Sequence, residues 1–320
     1  MEKPDIVVTR SIAQSALDRL QNLGQITIWS KHEPPTYHQL TQMVKDCDGL
    51  LCLLTDRIDD HLIQGAPRLS VISTMSVGYE HIDLNACRRR GIQVGHTPDV
   101  LTDSTADFTV ALILSVARRI PEAVEYARSG LWSTWDPGLL LGHDLFGKTV
   151  GIVGMGRIGE AVAQRIKAFG SNLVYHDPLQ RTEVELKLNA RLVTFEELLT
   201  EADITTLHVP LTKQTHHLIS YPQLKLMKPT ALLINTSRGK VVDTEALLHA
   251  LLNGEIQAAG LDVTDPEPLP ADHPLFKLPN CLITPHIASA GAATRTKMAH
   301  MAVDNLLAGL QGGPLPYPVT

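Results

Sequence analysis

The chain has 320 residues, of which 44% are apolar, 19% charged and 4% aromatic, with a formal net charge of −6. That length leaves room for two domains, each with its own core, and the composition excludes fibrous, low-complexity and disordered classes. Acidic and basic residues are mixed along the whole length, without the basic stripe that a phosphate-backbone binder needs, so nucleic acid is not an expected partner.

The charge-free stretch between Asp107 and Arg118 is about half the length that spans a bilayer, and the first residues lack the apolar run of a signal peptide. No membrane partner is expected, and the location expected is cytoplasmic. Cys47, Cys52, Cys87 and Cys281 include no C-x-x-C pair and each stands beside apolar residues, which suits buried, reduced thiols.

From the N-terminus, short β runs alternate with helical segments. Residues 6–9 are apolar and β-branched, residues 11–22 carry Ile12, Ala16, Leu17 and Leu20 at helical spacing, and residues 25–29 return to a strand. Residues 37–45, 59–65 and 83–90 read as helices, and 49–54, 69–74 and 92–95 as strands. Such alternation predicts a parallel sheet covered on both faces. Residues 99–129 then read as one long helix, in which Leu101, Thr105, Phe108, Leu112 and Val116 make an apolar face that could join two domains.

A second β/α series begins at Lys148. Six strands are predicted, at 149–153, 172–175, 204–209, 231–235, 258–263 and 281–284, with intervening helices. This matches a dinucleotide-binding fold. A last helix, 294–310, precedes a short tail that is too small for a domain and is expected to return to the N-terminal unit. The fold class expected is α/β, with two Rossmann-like doubly wound parallel-sheet domains: a discontinuous substrate domain from residues 1–98 and 289–320, and a dinucleotide-binding domain from residues 99–288.

The run from Val150 to Gly159 holds Gly154, Gly156 and Gly159 as G-x-G-x-x-G between a strand and a helix. The first glycine makes the tight turn, the second lets backbone approach a pyrophosphate, and the third packs helix on strand. Asp177 follows 18 residues after Gly159, at the end of the next strand. A carboxylate there accepts from a ribose 2′-hydroxyl and repels a 2′-phosphate, which favours NAD over NADP. The plainer reading of Asp177, ahead of Pro178, is a turn former. Arg181 is close enough in sequence to reach a 2′-phosphate, so NADP stays open.

Arg238, Glu267 and His286 fall at the C-terminal ends of late predicted strands, where open α/β sheets bind ligands. Reduction of a ketone puts negative charge on its oxygen, so a histidine paired with a carboxylate makes a suitable proton donor. An arginine fork clamps a carboxylate or keto oxygen. Gly239 after Arg238 suggests close backbone approach to a ligand. Each residue has a plainer reading: a strand-end cap for Arg238, an exposed loop carboxylate for Glu267, and any one of fourteen histidines for His286. His216 and His217 are adjacent and lack a third ligand, and no metal is expected.

The glycine turn, Asn235-Thr236-Ser237-Arg238-Gly239, Gly260-Leu261-Asp262-Val263 with Pro266-Glu267-Pro268, and Thr284-Pro285-His286 resemble the D-isomer-specific 2-hydroxyacid dehydrogenases over nearly the whole chain. The segments from Ile72 to Gly78, Thr97 to Asp103, Leu261 to Pro270 and Asn305 to Leu310 resemble the glyoxylate/hydroxypyruvate reductases of that family.

The resemblance implies an NAD(P)-dependent dehydrogenase that reduces small 2-keto acids, glyoxylate to glycolate and hydroxypyruvate to D-glycerate. It implies that Arg238 binds substrate, Glu267 holds the histidine and His286 donates the proton. Amides of Val77 and Gly78 would hold the substrate carboxylate, Leu53 would line the pocket, and Trp135 would reach the site of a partner subunit in a homodimer built through the cofactor domains. Cofactor contacts carry over to Arg157, Ile158, Asp177, Val209, Pro210, Thr215, Thr236, Arg238 and Asp262, beside the three glycines.

Two departures are informative. Many glyoxylate/hydroxypyruvate reductases prefer NADPH and carry small and basic residues where this chain has Asp177-Pro178, and phosphite dehydrogenases have a lysine at the position of Val77. The other readings are another D-2-hydroxyacid or phosphite/formate-type dehydrogenase, and a non-catalytic NAD-sensing protein like the family's corepressor relatives.

Overall fold

A computed structural model of the chain describes residues 3–319. Met1, Glu2 and Thr320, the ends of the expected substrate domain, lie outside the described residues. The chain divides into two compact units, Met1–Leu101 with Ala290–Thr320, and Thr102–Ser289.

In the first unit the elements are β1 (Asp5–Val8), α1 (Gln14–Gln21), β2 (Gln25–Ile28), α2 (Tyr37–Val44), β3 (Gly49–Cys52), α3 (Asp60–Gln64), β4 (Val71–Thr74), α4 (Leu84–Arg90) and β5 (Gln93–Gly95). The strands form one parallel sheet in the order β2-β1-β3-β4-β5. β3 and β4 are buried at every residue, the mark of a strand covered on both faces. Tail residues return beside β5, where the Val319 amide donates to the Val94 carbonyl and the His96 amide to the Tyr317 carbonyl.

The second unit contains α5 (Thr102–Ala117), α6 (Ile120–Arg128), β6 (Thr149–Val153), α7 (Arg157–Lys167), β7 (Asn172–His176), α8 (Thr182–Leu188), β8 (Ala190–Leu192), α9 (Phe195–Glu201), β9 (Ile204–Leu207), α10 (Tyr221–Leu226), β10 (Leu232–Asn235), α11 (Thr244–Leu252), β11 (Ala258–Leu261) and β12 (Cys281–Ile283). α12 (Ala292–Leu310) belongs to the first unit, against β3 and β4. The second sheet is parallel throughout, in the order β12-β11-β10-β9-β6-β7-β8.

Alternate strand residues enter two different cores. Val150, Ile152, Leu173, Tyr175, Leu232 and Ile234 pack with α5 and α7, whereas Val153, Val174, Leu207 and Leu233 pack with α9, α10 and α11. The two-residue strand period thus fills both faces of one sheet. Both units are α/β with a doubly wound parallel sheet. Cys47, Cys52 and Cys87 are buried, Cys281 is half-buried, and all four are free thiols. Among the described residues no helix is long and apolar enough to cross a membrane.

Two expectations are corrected. The long helix over 99–129 is two helices, α5 and α6, separated by Arg119 in the left-handed region at φ 52°. Pro121, in the first turn of α6, has no N–H to offer the Ala117 carbonyl, which accepts instead from the His143 amide at 2.8 Å. The second sheet also has seven strands rather than six. The extra strand, β8, is a three-residue edge against β7, too short to show a periodicity.

α11 is capped by Asp243, whose carboxylate accepts from the Ala246 amide at 3.2 Å and the Ser220 hydroxyl at 2.9 Å. Burial alone would raise its pKa; the Ala246 amide, the Ser220 hydroxyl and nearby His217 outweigh that and hold it below the usual range. A carboxyl depressed in the folded state contributes stability above its unfolded pKa and loses it as the pH falls through the folded one. Asp243→Ala is expected to cost about 1 kcal/mol near neutral pH. Thermal melts across a pH series should show the gap from the parent closing below about pH 4.

Candidate active site

β6 ends in the glycine turn. Gly154 has φ 92°, a conformation that side chains rarely adopt, and a Cβ on it would stand 2.8 Å from the His208 carbonyl oxygen. A Cβ on Gly159 would fall 2.1 Å from the Gly154 carbonyl oxygen, so helix and turn touch backbone to backbone. Around Gly156 there is open space within 4 Å, and this N-cap of α7 has no side-chain cap. The first turn of α7, which Arg157 and Ile158 begin, therefore opens without a side-chain cap beside a gap, which fits a pyrophosphate.

The turn is braced by Asp177, just beyond β7. Its carboxylate accepts from the Met155 amide at 2.8 Å and the Leu179 amide at 2.9 Å. A cavity of about 590 Å³ opens here, lined by Gly156, Arg157, Glu160, Gln180 and Arg181 among others. Tyr175, fully buried, fixes one wall: its hydroxyl accepts from the Arg181 amide and donates to Glu185.

β9 leads into His208, Val209 and Pro210. Desolvation pushes the His208 imidazole down to about 3, so the ring is neutral, bonded to the Thr206 hydroxyl at 2.9 Å. Val209 packs on the core, and Thr215 closes the following loop by donating to the Pro210 carbonyl at 2.6 Å.

Arg238, Glu267 and His286 follow β10, β11 and β12, three consecutive strands at one side of the sheet. Asn235, fully buried, holds the first segment by donating to the Arg238 carbonyl and accepting from the Ser237 amide and hydroxyl. Thr236 shares a 2.8 Å hydrogen bond with Thr109 of α5. Gly239 admits a neighbour: a Cβ there would lie 1.8 Å from the Thr264 carbonyl oxygen, so the β11 loop packs on this backbone.

His286 Nδ1 lies 2.5 Å from Glu267 Oε1. A carboxylate only accepts, so Nδ1 carries the proton and Nε2 is left for chemistry. The His286 backbone is in the left-handed region at φ 54°, costly for a non-glycine residue unless its surroundings hold it there. Asp262 supplies that hold. It is buried, its carbonyl accepts from the His286 amide, and its carboxylate accepts from the Thr284 hydroxyl and the Ile287 and Ala288 amides at 2.7–2.9 Å.

Leu53, Val77 and Gly78 belong to the first unit, at the ends of β3 and β4, and Trp135 to the second, where it is 81% exposed. The Leu53 amide donates to Asp56, a buried carboxyl that also accepts from Thr9 and whose pKa burial pushes up. No sequence motif marks Asp56 or Thr109, and Asn235, though it opens the Asn-Thr-Ser-Arg-Gly segment, shows its holding role only through its hydrogen bonds. Among the described residues no group of three or more His, Cys, Asp or Glu is arranged to hold a metal ion.

Residues 110–288 match the family model for the D-isomer specific 2-hydroxyacid dehydrogenase NAD binding domain. The chain belongs to the D-isomer-specific 2-hydroxyacid dehydrogenase family. It is similar to a glyoxylate reductase of Korarchaeum cryptofilum, 47% identical over 97% of this chain and 94% of that one. A solved protein of Thermus thermophilus superposes with TM-score 0.93 at 50% identity, covering 99% of this chain and 100% of that one. An NADPH-dependent glyoxylate/hydroxypyruvate reductase of Sinorhizobium meliloti, solved with NADP and malonate, gives 0.88 at 33%, over 100% and 97%. This dehydrogenase is accordingly an NAD(P)-dependent enzyme acting on D-2-hydroxyacids.

Proposed function

We propose that the enzyme reduces glyoxylate to glycolate and hydroxypyruvate to D-glycerate. The 2.5 Å contact between His286 and Glu267, at the mouth of the dinucleotide fold, is the observation that carries this reading. Relatives named glyoxylate reductase, 47% identical, support the substrate class. Glu267 holds Nδ1 and orients the imidazole; His286 then gives its Nε2 proton to the substrate's carbonyl oxygen as that oxygen gains charge. Bound NAD(P)H supplies the hydride. Arg238 grips the substrate's carboxylate or keto oxygen, with the Val77 and Gly78 amides on the carboxylate and Leu53 beside the carbon chain.

For the dinucleotide, Gly154, Gly156, Gly159, Arg157 and Ile158 would take the pyrophosphate, Asp177 the adenosine ribose, and Val209, Pro210, Thr215, Thr236, Arg238 and Asp262 the remainder. Asp177 favours NADH, since its charge repels a 2′-phosphate. Arg157 and Arg181 line the same cavity, which supports NADPH as a second, weaker cofactor.

A homodimer through the cofactor units is part of the proposal. α6 has no buried residue, and the segment after it exposes Trp132 at 70%, Trp135 at 81% and Phe146 at 81%, large apolar side chains that a partner subunit would cover. Sedimentation velocity should then give twice the chain mass, and Trp132→Asp with Trp135→Asp should shift it toward monomer.

A panel of keto acids should show glyoxylate and hydroxypyruvate turned over fastest. His286→Ala should lower kcat about a hundred- to ten-thousandfold; turnover within a few-fold of the parent would exclude the acid role. kcat/KM should be higher with NADH than with NADPH, and Asp177→Ala should narrow that ratio.

A further inference from the structure

The turn after β4 is held from behind by side chains of its own unit. Val77 and Gly78 are joined by a trans peptide, so the Val77 carbonyl and the Gly78 N–H point in opposite directions. His96 Nδ1 lies 2.9 Å from that carbonyl oxygen. A carbonyl only accepts, so Nδ1 is the donor. Among the described residues the Val77 and Gly78 amides have no acceptor. The next carbonyl, of Gly78, accepts from the Ser76 hydroxyl at 2.6 Å, and Ser76 Oγ is bonded in turn to Thr74 Oγ1 at 2.8 Å.

His96 is itself fixed on both sides of its backbone. Its N–H donates to the Tyr317 carbonyl at 3.0 Å, and its carbonyl accepts from Asn305 Nδ2 at 3.0 Å. Asn305, fully buried on α12, also accepts from the Tyr317 amide. The His96 ring meets the Tyr79 ring edge-on, with centroids 5.6 Å apart. The ring thus has one orientation, fixed by a segment more than two hundred residues away in the chain.

We infer that His96 is a positioning residue for substrate: by donating to the Val77 carbonyl it aims and polarises the Val77–Gly78 peptide so that the Gly78 N–H faces the keto-acid carboxylate. The inference rests on the proposed role of that turn in carboxylate binding. A hydrogen bond on an amide's oxygen strengthens its N–H as a donor, and orientation adds to this. Asn305 and Tyr317 act one step further back, by holding His96.

The side chain's geometry supplies the test. Asn carries its amide nitrogen at the position of histidine Nδ1, and Gln carries it at Nε2. His96→Ala and His96→Gln should raise the KM for glyoxylate about five- to tenfold, the loss of one hydrogen bond. kcat and the Kd for NADH, read by fluorescence quenching, should stay within twofold. His96→Asn should return the KM toward that of the parent. An unchanged KM in His96→Ala, or Gln rescuing as well as Asn, would overturn the inference, and the Asn/Gln pair still decides it if the Ala variant does not fold. Gly78→Pro, which deletes the donor, separates the two levels. If it raises the glyoxylate KM while His96→Ala does not, only the role of His96 fails; if neither does, the reading of the turn fails and the inference with it.

Discussion

The side chain on which the chemistry depends most is one that the proposed reaction does not use as an acid or base. Asp262 is buried at the end of β11, and its carboxylate takes the Thr284 hydroxyl and two successive amides beyond β12. An ion in that position is stable only if its lone pairs are filled. Filling them forces the chain after Pro285 to turn back, which puts His286 at positive φ and its ring against Glu267. The strain of a left-handed histidine is thus offset by charge-assisted hydrogen bonds, and the proposed acid is set in place by the fold itself.

The strands of both sheets were legible in the sequence because burial on both faces leaves runs such as Gly49 to Cys52 and Leu232 to Asn235 nearly free of polar residues. The helices with a continuous apolar face were legible for the same reason. Elements decided by one residue were harder to read. Pro121 breaks a periodicity that otherwise runs from α5 into α6, and the break is visible only once the Ala117 carbonyl is seen to have another donor. β8 is a short edge whose partner, β7, supplies the information that its own sequence lacks.

At the site, types and order were legible and neighbours were not. A glycine triplet between strand and helix, and polar residues at strand ends, follow from what a dinucleotide and a keto acid demand. That β10, β11 and β12 lie side by side, and so bring Arg238, Glu267 and His286 to one edge, is a property of strand order. The same applies to Gly239, whose missing side chain makes room for Thr264. His96 and Asp56 have no motif, and Asn305 heads a family-like segment that does not disclose its role, since their partners are carbonyls, amides or distant residues that spacing cannot reveal.

A net charge of −6 works against an anionic substrate and an anionic cofactor alike. Beyond about 8 Å at physiological salt that field is screened, so local donors decide. Local donors are effective when they cannot turn away, and in this protein each proposed donor has a polar side chain behind it. Asn235 holds the Arg238 backbone, Asp262 holds the His286 loop, Asp177 holds the Met155 amide of the glycine turn, and His96 holds the Val77–Gly78 peptide. The reorganisation that water would require at each anion has been completed during folding, which is the physical content of preorganisation at a reacting carbonyl. Substitutions at Asn235 or His96 should therefore loosen substrate binding while leaving the proposed acid in place, whereas a substitution at Asp262 should release the loop that sets His286.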